Sequence, residues 1–426
     1  MTLLAAIVML ALFIVSYLIF KSWFAPAVIY CASWTLALFS IAALEPLLYG
    51  ISGSAMVCYS VAAALFVVGT LFGQGFRRPF APAPVPGSWR VKQVRVVVDV
   101  MLFILFLATP LLIHQLITAN GIGGFVSMLR DTRVDSVEAS GEIGSFGLLK
   151  NLPVLAQFVA LIAVYISDGS LASRARISVA AALWLLVALP SGSKLIALQL
   201  PFVIAAGFAI SRRKIPWRIA FLSAAGFGVV FLAGLYYINY GYLVTKGDSV
   251  PLTKLLADMA SYAYGGVVGF SKLIGGHVQF DPTQNPLRTP MYIIDAVATV
   301  FGITPPFVLG SEHAPFLNVG PALSGNVYTA LYAYYGAGGA VGMLAWSLFA
   351  GLVSGWVYRS IARGRHWAFF VYPWVAYACV MSVQSEQLFG SSLQIIKTLL
   401  LLALLGFLIL RPRRRLSVAS SMAQPS

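Results

Sequence analysis

Between Thr2 and Phe20 the chain carries no charged residue, and runs of similar length and apolarity recur to near its C-terminus. About 20 apolar residues in a helix span the hydrocarbon core of a bilayer. In lipid every backbone N–H and C=O has to be satisfied internally, which leaves only helices or closed barrels. The run lengths select helices. Eleven are predicted, at 2–20, 26–48, 54–75, 96–117, 149–167, 177–190, 194–211, 218–240, 327–358, 367–384 and 392–410. The predicted fold class is therefore an all-α polytopic membrane protein, with a single integral membrane domain over 1–416 and a disordered tail at 417–426. Composition agrees, with 60% hydrophobic and 10% charged residues and a mean hydropathy of +0.88. A soluble domain is about half apolar and a quarter charged.

Charge sets the orientation. No basic residue precedes the first apolar run, so it reads as a retained helix with its N-terminus outside rather than as a secretory signal. If "RRPFAPAPVPGSWRVKQVR" (Arg77 to Arg95) is cytoplasmic and the helices alternate, 19 of the 28 Lys and Arg residues fall on the inside. Of the 13 acids, only Asp99 and Asp168 fall there. This is the positive-inside bias. The net charge of +15 is thus mostly a topology signal, and nucleic acid is not a predicted partner.

The same alternation places two long loops outside, at 118–148 and 241–326. Within the second, "PLTKLLADMASYAYGGVVGFSKLIGG" (Pro251 to Gly276) repeats Leu252, Leu255, Leu256 and Met259 at helical spacing. It reads as an amphipathic helix at the membrane surface. "RTPMYIIDAVATVFG" (Arg288 to Gly302) reads as another, so the loop is predicted to be a packed helical cap.

The first loop holds "LRDTRVDSVEASGEIG", two arginines and four acids in a charge-poor chain. On a helix, Arg130 and Arg133 share a face. Two guanidinium forks side by side suit a phosphate or pyrophosphate. The competing reading is a solvated helix end paired with Asp131, Asp135 and Glu138. Arg288 lies between Pro286 and Pro290, a restrained cation suited to a lipid-linked phosphate or to headgroups. Lys194 ends "PSGSK", either a binding turn between short apolar segments or a snorkelling lysine. His313, beside Glu312 in "GSEHAPF", is a candidate general base. His114, His277 and the intramembrane Lys397 are weaker candidates, and His366 belongs to the basic inner face and is discounted. The three cysteines lie in apolar segments without metal-ligand spacing. HExxH, GxSxG and GxxxxGK[ST] are absent, so no metal or nucleotide cofactor is predicted.

"GNVYTALYAYYGAGGAVGMLAWSLFAGL" (Gly325 to Leu352) resembles a stretch of the bacterial oligosaccharide repeat unit polymerases, the Wzy-type O-antigen polymerases. Asn326 and Thr329 match its Asn-x-x-Thr, and glycines follow the aromatics, although "YYGAGG" replaces its usual DFGxxG. The Arg-x10-Gly spacing of some members is met by Arg130 with Gly141 and by Arg133 with Gly144. "PSGSKL" is similar to a GSR stretch, with Lys194 at the arginine. The resemblance implies a C-type glycosyltransferase architecture in the bacterial inner membrane. The implied substrates are two undecaprenyl-pyrophosphate-linked oligosaccharides, and the further partners are membrane lipids and a chain-length regulator protein. Taken with the residue reading above, it suggests catalysis by Arg130, Arg133, Arg288, Glu312 and His313, although Arg288 lacks the Arg-x10-Gly spacing because position 299 is Thr, and substrate binding by Lys194, Asn326, Tyr328, Thr329, Tyr332 and Tyr335. For the tyrosines, sugar stacking competes with plain helix packing. An O-antigen ligase would use the same donor. A flippase for lipid-linked oligosaccharides is the non-enzymatic alternative, disfavoured because polar residues crowd the outer helix ends.

Overall fold

The computed structural model describes residues 1–75, 91–120, 152–188, 199, 203–208, 210, 252–276, 285–304, 306–307, 317–321, 323–325 and 328–409. Twelve helices are assigned within them: α1 (Thr2–Phe20), α2 (Pro26–Ala43), α3 (Gly53–Gln74), α4 (Val91–Asn120), α5 (Leu152–Tyr165), α6 (Leu171–Ala188), α7 (Leu252–Ile274), α8 (Arg288–Val300), α9 (Ala330–Gly336), α10 (Gly339–Ala362), α11 (His366–Met381) and α12 (Ser392–Ile409). One antiparallel hairpin, β1 (Leu317–Gly320) with β2 (Leu323–Gly325), pairs Leu317 with Gly325 and Asn318 with Ser324.

Among the described residues five helices are long and apolar enough to cross a membrane: α1, α2, α3, α4 over Val91–Leu111, and α10. α5 and Ser392–Phe407 of α12 are shorter apolar helices. Large apolar side chains such as Leu18, Leu36, Phe72, Phe103 and Phe106 stand exposed on these helices. Such surfaces suit lipid rather than water, and the protein is an all-α membrane protein. Most of the predicted helices 194–211 and 218–240 lies outside the described residues, as do loop 118–148 beyond Asn120 and the tail.

Local chemistry sets the helix starts. Pro26 opens α2, where its missing N–H costs nothing. The Ser52 side chain accepts from the Ala55 N–H and caps α3. The predicted helix 327–358 is instead two, α9 and α10. Gly339 takes φ 61°, a conformation other residues adopt at a cost, and the helix breaks there. The "GAGG" stretch (Gly336 to Gly339) lies at this break.

Close packing falls to other glycines. α3 carries Gly69 and Gly73; α10 carries Gly351 and Gly355. A Cβ on Gly69 or Gly73 would run into the carbonyl oxygen of Leu348 or Leu352. On Gly351 or Gly355 it would meet the carbonyl oxygen of Phe66 or Thr70. Each helix thus lays its glycines on the other's backbone, the small-xxx-small packing that brings membrane helices together.

Polar contacts gather at two ends of the bundle. At one, Tyr358 donates to Ser22 Oγ (2.9 Å), Tyr372 to the Phe24 carbonyl, and Tyr165 Oη meets His366 Nδ1 at 2.9 Å. Arg359 lies beside Gly75 there. Asp99 and Asp168, the two acids predicted to lie inside, pair with arginines on neighbouring helices. Arg176 grips Asp99 through Nε and Nη2 (2.6 and 2.9 Å), and Arg95 donates to Asp168 at 2.6 Å. The hydrogen bonds from Ser170, Ser173 and Arg95 hold the Asp168 carboxyl well below the ordinary carboxylate range.

Candidate functional site

At the opposite end five segments meet. Tyr49 N donates to the Val319 carbonyl (2.9 Å), so the α2–α3 linker holds the hairpin. Ser52 N donates to Ser271 Oγ at 2.9 Å, and Lys272 Nζ stands 4.2 Å over the Tyr49 ring. Gln384 Nε2 donates to the Tyr262 carbonyl at 2.6 Å, and Ala330 N to the Ser382 carbonyl at 2.9 Å. α7 is a helix as predicted, and its second half is buried in the protein. Val267, Val268 and Phe270 are fully buried, and Tyr59 donates to the Val267 carbonyl at 2.6 Å. Its glycines allow the insertion: a Cβ on Gly266 would stand 3.2–3.3 Å from the backbone of Val383, Tyr328 and Thr329.

The candidate residues Tyr328, Thr329, Tyr332 and Tyr335 are brought together here by α9. Tyr328 and Tyr332 stack at 4.3 Å between ring centroids and are nearly buried, and Tyr335 meets Phe270 edge-on at 6.2 Å. These rings pack against the fold. Thr329 is buried, and its Oγ1 has no hydrogen-bond partner among the described residues.

Sequence reasoning missed Glu386, in the linker between α11 and α12. Its Oε1 accepts from the N–H groups of Leu388 (2.8 Å) and Phe389 (3.0 Å), and Oε2 from Gly390 (2.8 Å). The Tyr334 hydroxyl also donates to it. Burial pushes the carboxyl from 4.5 up to about 7, against the pull of those donors. Beside it is a cavity of about 10 Å³, close to the size of one water. Tyr30, Tyr334, Ser354, Ser382 and Gln387 line it. A lone acid between two apolar runs, flanked by Gln384, Ser385 and Gln387, was the available signal.

Arg288 stands elsewhere, at the N-terminus of α8, which packs on α12. Its guanidinium lies 5.7 Å from the Tyr292 ring centroid, and Nη2 is 3.4 Å from the Tyr292 hydroxyl. One face of α8 is apolar and open, with Ile294, Val297 and Phe301 half or more exposed. Arg130, Arg133, Lys194, Glu312, His313 and Asn326 lie outside the described residues, as does His277. Among the described residues no group of three or more His, Cys, Asp or Glu side chains could hold a metal ion.

The fold and these surfaces define a helical membrane protein with a polar, partly buried end and an adjoining amphipathic helix. No family model, no curated protein and no solved structure matches the chain.

Proposed function

We propose that the protein is a polymerase of undecaprenyl-pyrophosphate-linked oligosaccharide repeat units. In this reading it is an eleven-span glycosyltransferase with a C-type architecture, acting at the periplasmic face of the bacterial inner membrane. The observation that carries the reading is the position of Arg288. It stands on an amphipathic helix that packs against the first turn of α12, at the end of the bundle away from Arg359 and His366. A cation there meets a lipid-borne phosphate at the membrane boundary.

In the proposed reaction the terminal hydroxyl of one lipid-linked unit attacks the anomeric carbon of the growing glycan. The new C–O bond forms as the bond to pyrophosphate breaks, and undecaprenyl pyrophosphate leaves with the electron pair. His313, with Glu312, takes the hydroxyl proton. Arg130, Arg133 and Arg288 stabilise charge developing on the leaving group. Lys194, Asn326 and Thr329 bind the oligosaccharides, with Tyr328, Tyr332 and Tyr335 shaping that wall.

Purified protein mixed with lipid-linked repeat units is expected to build a ladder of glycan lengths on a gel. Lysine cannot supply the bidentate fork. Arg130→Lys and Arg288→Lys are therefore each expected to lower ladder formation about 10- to 100-fold, equivalent to about 1.4–2.7 kcal/mol of transition-state stabilisation. Arg174→Ala, on the arginine-rich end, is expected to change little. Wild-type ladders from Arg130→Ala and Arg288→Ala together would overturn the reading. A deletion strain separates polymerase from ligase: losing a polymerase leaves single repeats on the core, and losing a ligase leaves none.

The orientation has its own test. Cysteines placed at Ser136 and Ser311 are expected to react with an impermeant reagent in intact spheroplasts. Protection of both until lysis would reverse it.

A further inference from the structure

Between α8 and the first turn of α12 lies a groove of about 570 Å³, lined almost entirely by apolar side chains: Tyr292, Ile293 and Val297 from α8, Phe301 just after it and Leu393 from α12, with Thr289 at one end. Its volume falls in the range of ligand pockets, which are mostly apolar with a few placed polar groups. The placed group here is Arg288. It sits one residue before Thr289 and rides on Tyr292, a wall of the groove.

Arg288 is the first residue of α8. The N-terminus of a helix carries partial positive charge, which disfavours a cation and favours an anion. The first turn of α8 holds no acid. The one acid on α8, Asp295, accepts from Phe307 N at 3.3 Å, two turns further along. An anion bound between the guanidinium and the helix start is favoured by both. Thr289, Tyr292, Ile293, Ala296 and Val297 recur at the spacing of one helix face, so the groove runs along α8 away from that charge.

We propose that this groove holds the hydrocarbon chain of a polyprenyl phosphate, with the phosphate at Arg288. The choice of a polyprenyl lipid over a diacyl phospholipid rests on the proposed function. The charge at one end and the apolar wall running from it are features of the groove itself. Arg288 thereby sets the depth of the lipid head, and the groove sets the direction in which the chain leaves it.

The test uses the purified full-length protein in detergent, with undecaprenyl phosphate as probe and phosphatidylglycerol as competitor, read by native mass spectrometry. One undecaprenyl phosphate per chain is expected, retained against an equal amount of phosphatidylglycerol. Val297→Trp and Ala296→Leu are each expected to weaken retention about tenfold by filling the groove. Both positions are exposed, so a larger side chain there leaves the fold intact. Arg288→Ala is expected to weaken retention similarly, and Ile294→Trp, off the lining, to leave it unchanged. Equal retention of phosphatidylglycerol would overturn the proposal, as would unchanged binding in both groove variants. Groove-dependent lipid binding without any glycan ladder would keep the groove and sink the polymerase. A ladder undiminished by both groove variants would do the reverse.

Discussion

Gly351→Val is expected to abolish the folded protein, and Gly351→Ala to destabilise it severely. The Gly351 Cα faces the Phe66 carbonyl so closely that a Cβ would overlap the oxygen, and the Cα and carbonyl carbon of Phe66 would stand only 2.9–3.0 Å from it. These are backbone atoms of a neighbouring helix, and no rotamer change relieves the overlap. α3 and α10 would have to separate, removing the contacts that join them along Phe66–Gln74 and Leu348–Trp356. Overpacking one methyl into a close-packed site costs about 1–3 kcal/mol, and more where backbone has to move. Gly69, Gly73 and Gly355 stand in the same relation, so alanine at any two should exceed the effect of either alone. At Gly53, at the start of α3, an added methyl would meet nothing within 4 Å, and Gly53→Ala is expected to be silent. Thermal unfolding and size-exclusion profiles in detergent check the series. A Gly351→Val protein eluting and melting like wild type would mean that α3 and α10 do not pack this way.

Glu386 is expected to make stability fall as pH rises. Its carboxyl is held at about 7 in the folded chain against 4.5 for the ordinary group. Between those values the folded chain keeps a proton that the unfolded chain has released, so stability falls with rising pH. The contribution is fully present below about 4.5 and is lost as pH passes through about 7. At 1.36 kcal/mol per pH unit it amounts to about 3 kcal/mol at most. Melting temperature is therefore expected to drop between pH 5 and pH 8 and to be flatter in Glu386→Gln. Glu386→Ala is expected to do more harm at every pH. It strands the N–H groups of Leu388, Phe389 and Gly390, and each buried donor left unsatisfied costs about 1–3 kcal/mol. A pH profile identical in wild type and Glu386→Gln would show that another group titrates.

What the sequence by itself determined is local and periodic. Apolar runs near 20 residues set α1, α2, α3 and α4, and the loop helices α7 and α8 were legible from their spacing. Asp99 and Asp168, the two acids the lysine and arginine bias left as exceptions, are arginine partners. Arg288 was visible as a cation between prolines. Nothing in the local pattern said that it would stand beside an apolar groove.

Only the tertiary structure decided which helices touch. Gly69–Gly73 and Gly351–Gly355 are both readable as small-xxx-small motifs, yet their pairing joins segments almost 280 residues apart, and no local signal carries it. α7 reads as a surface helix because half of it is amphipathic; its other half is buried because Gly266 lets the chain at Tyr328 and Thr329 approach. Glu386 shows the same division most sharply. An acid in a short polar linker reads as solvated, and its titration follows from Tyr334 and a buried turn that the fold alone assembles around it. Hydropathy is a property of a segment, whereas burial and pairing are properties of what the rest of the chain places against it.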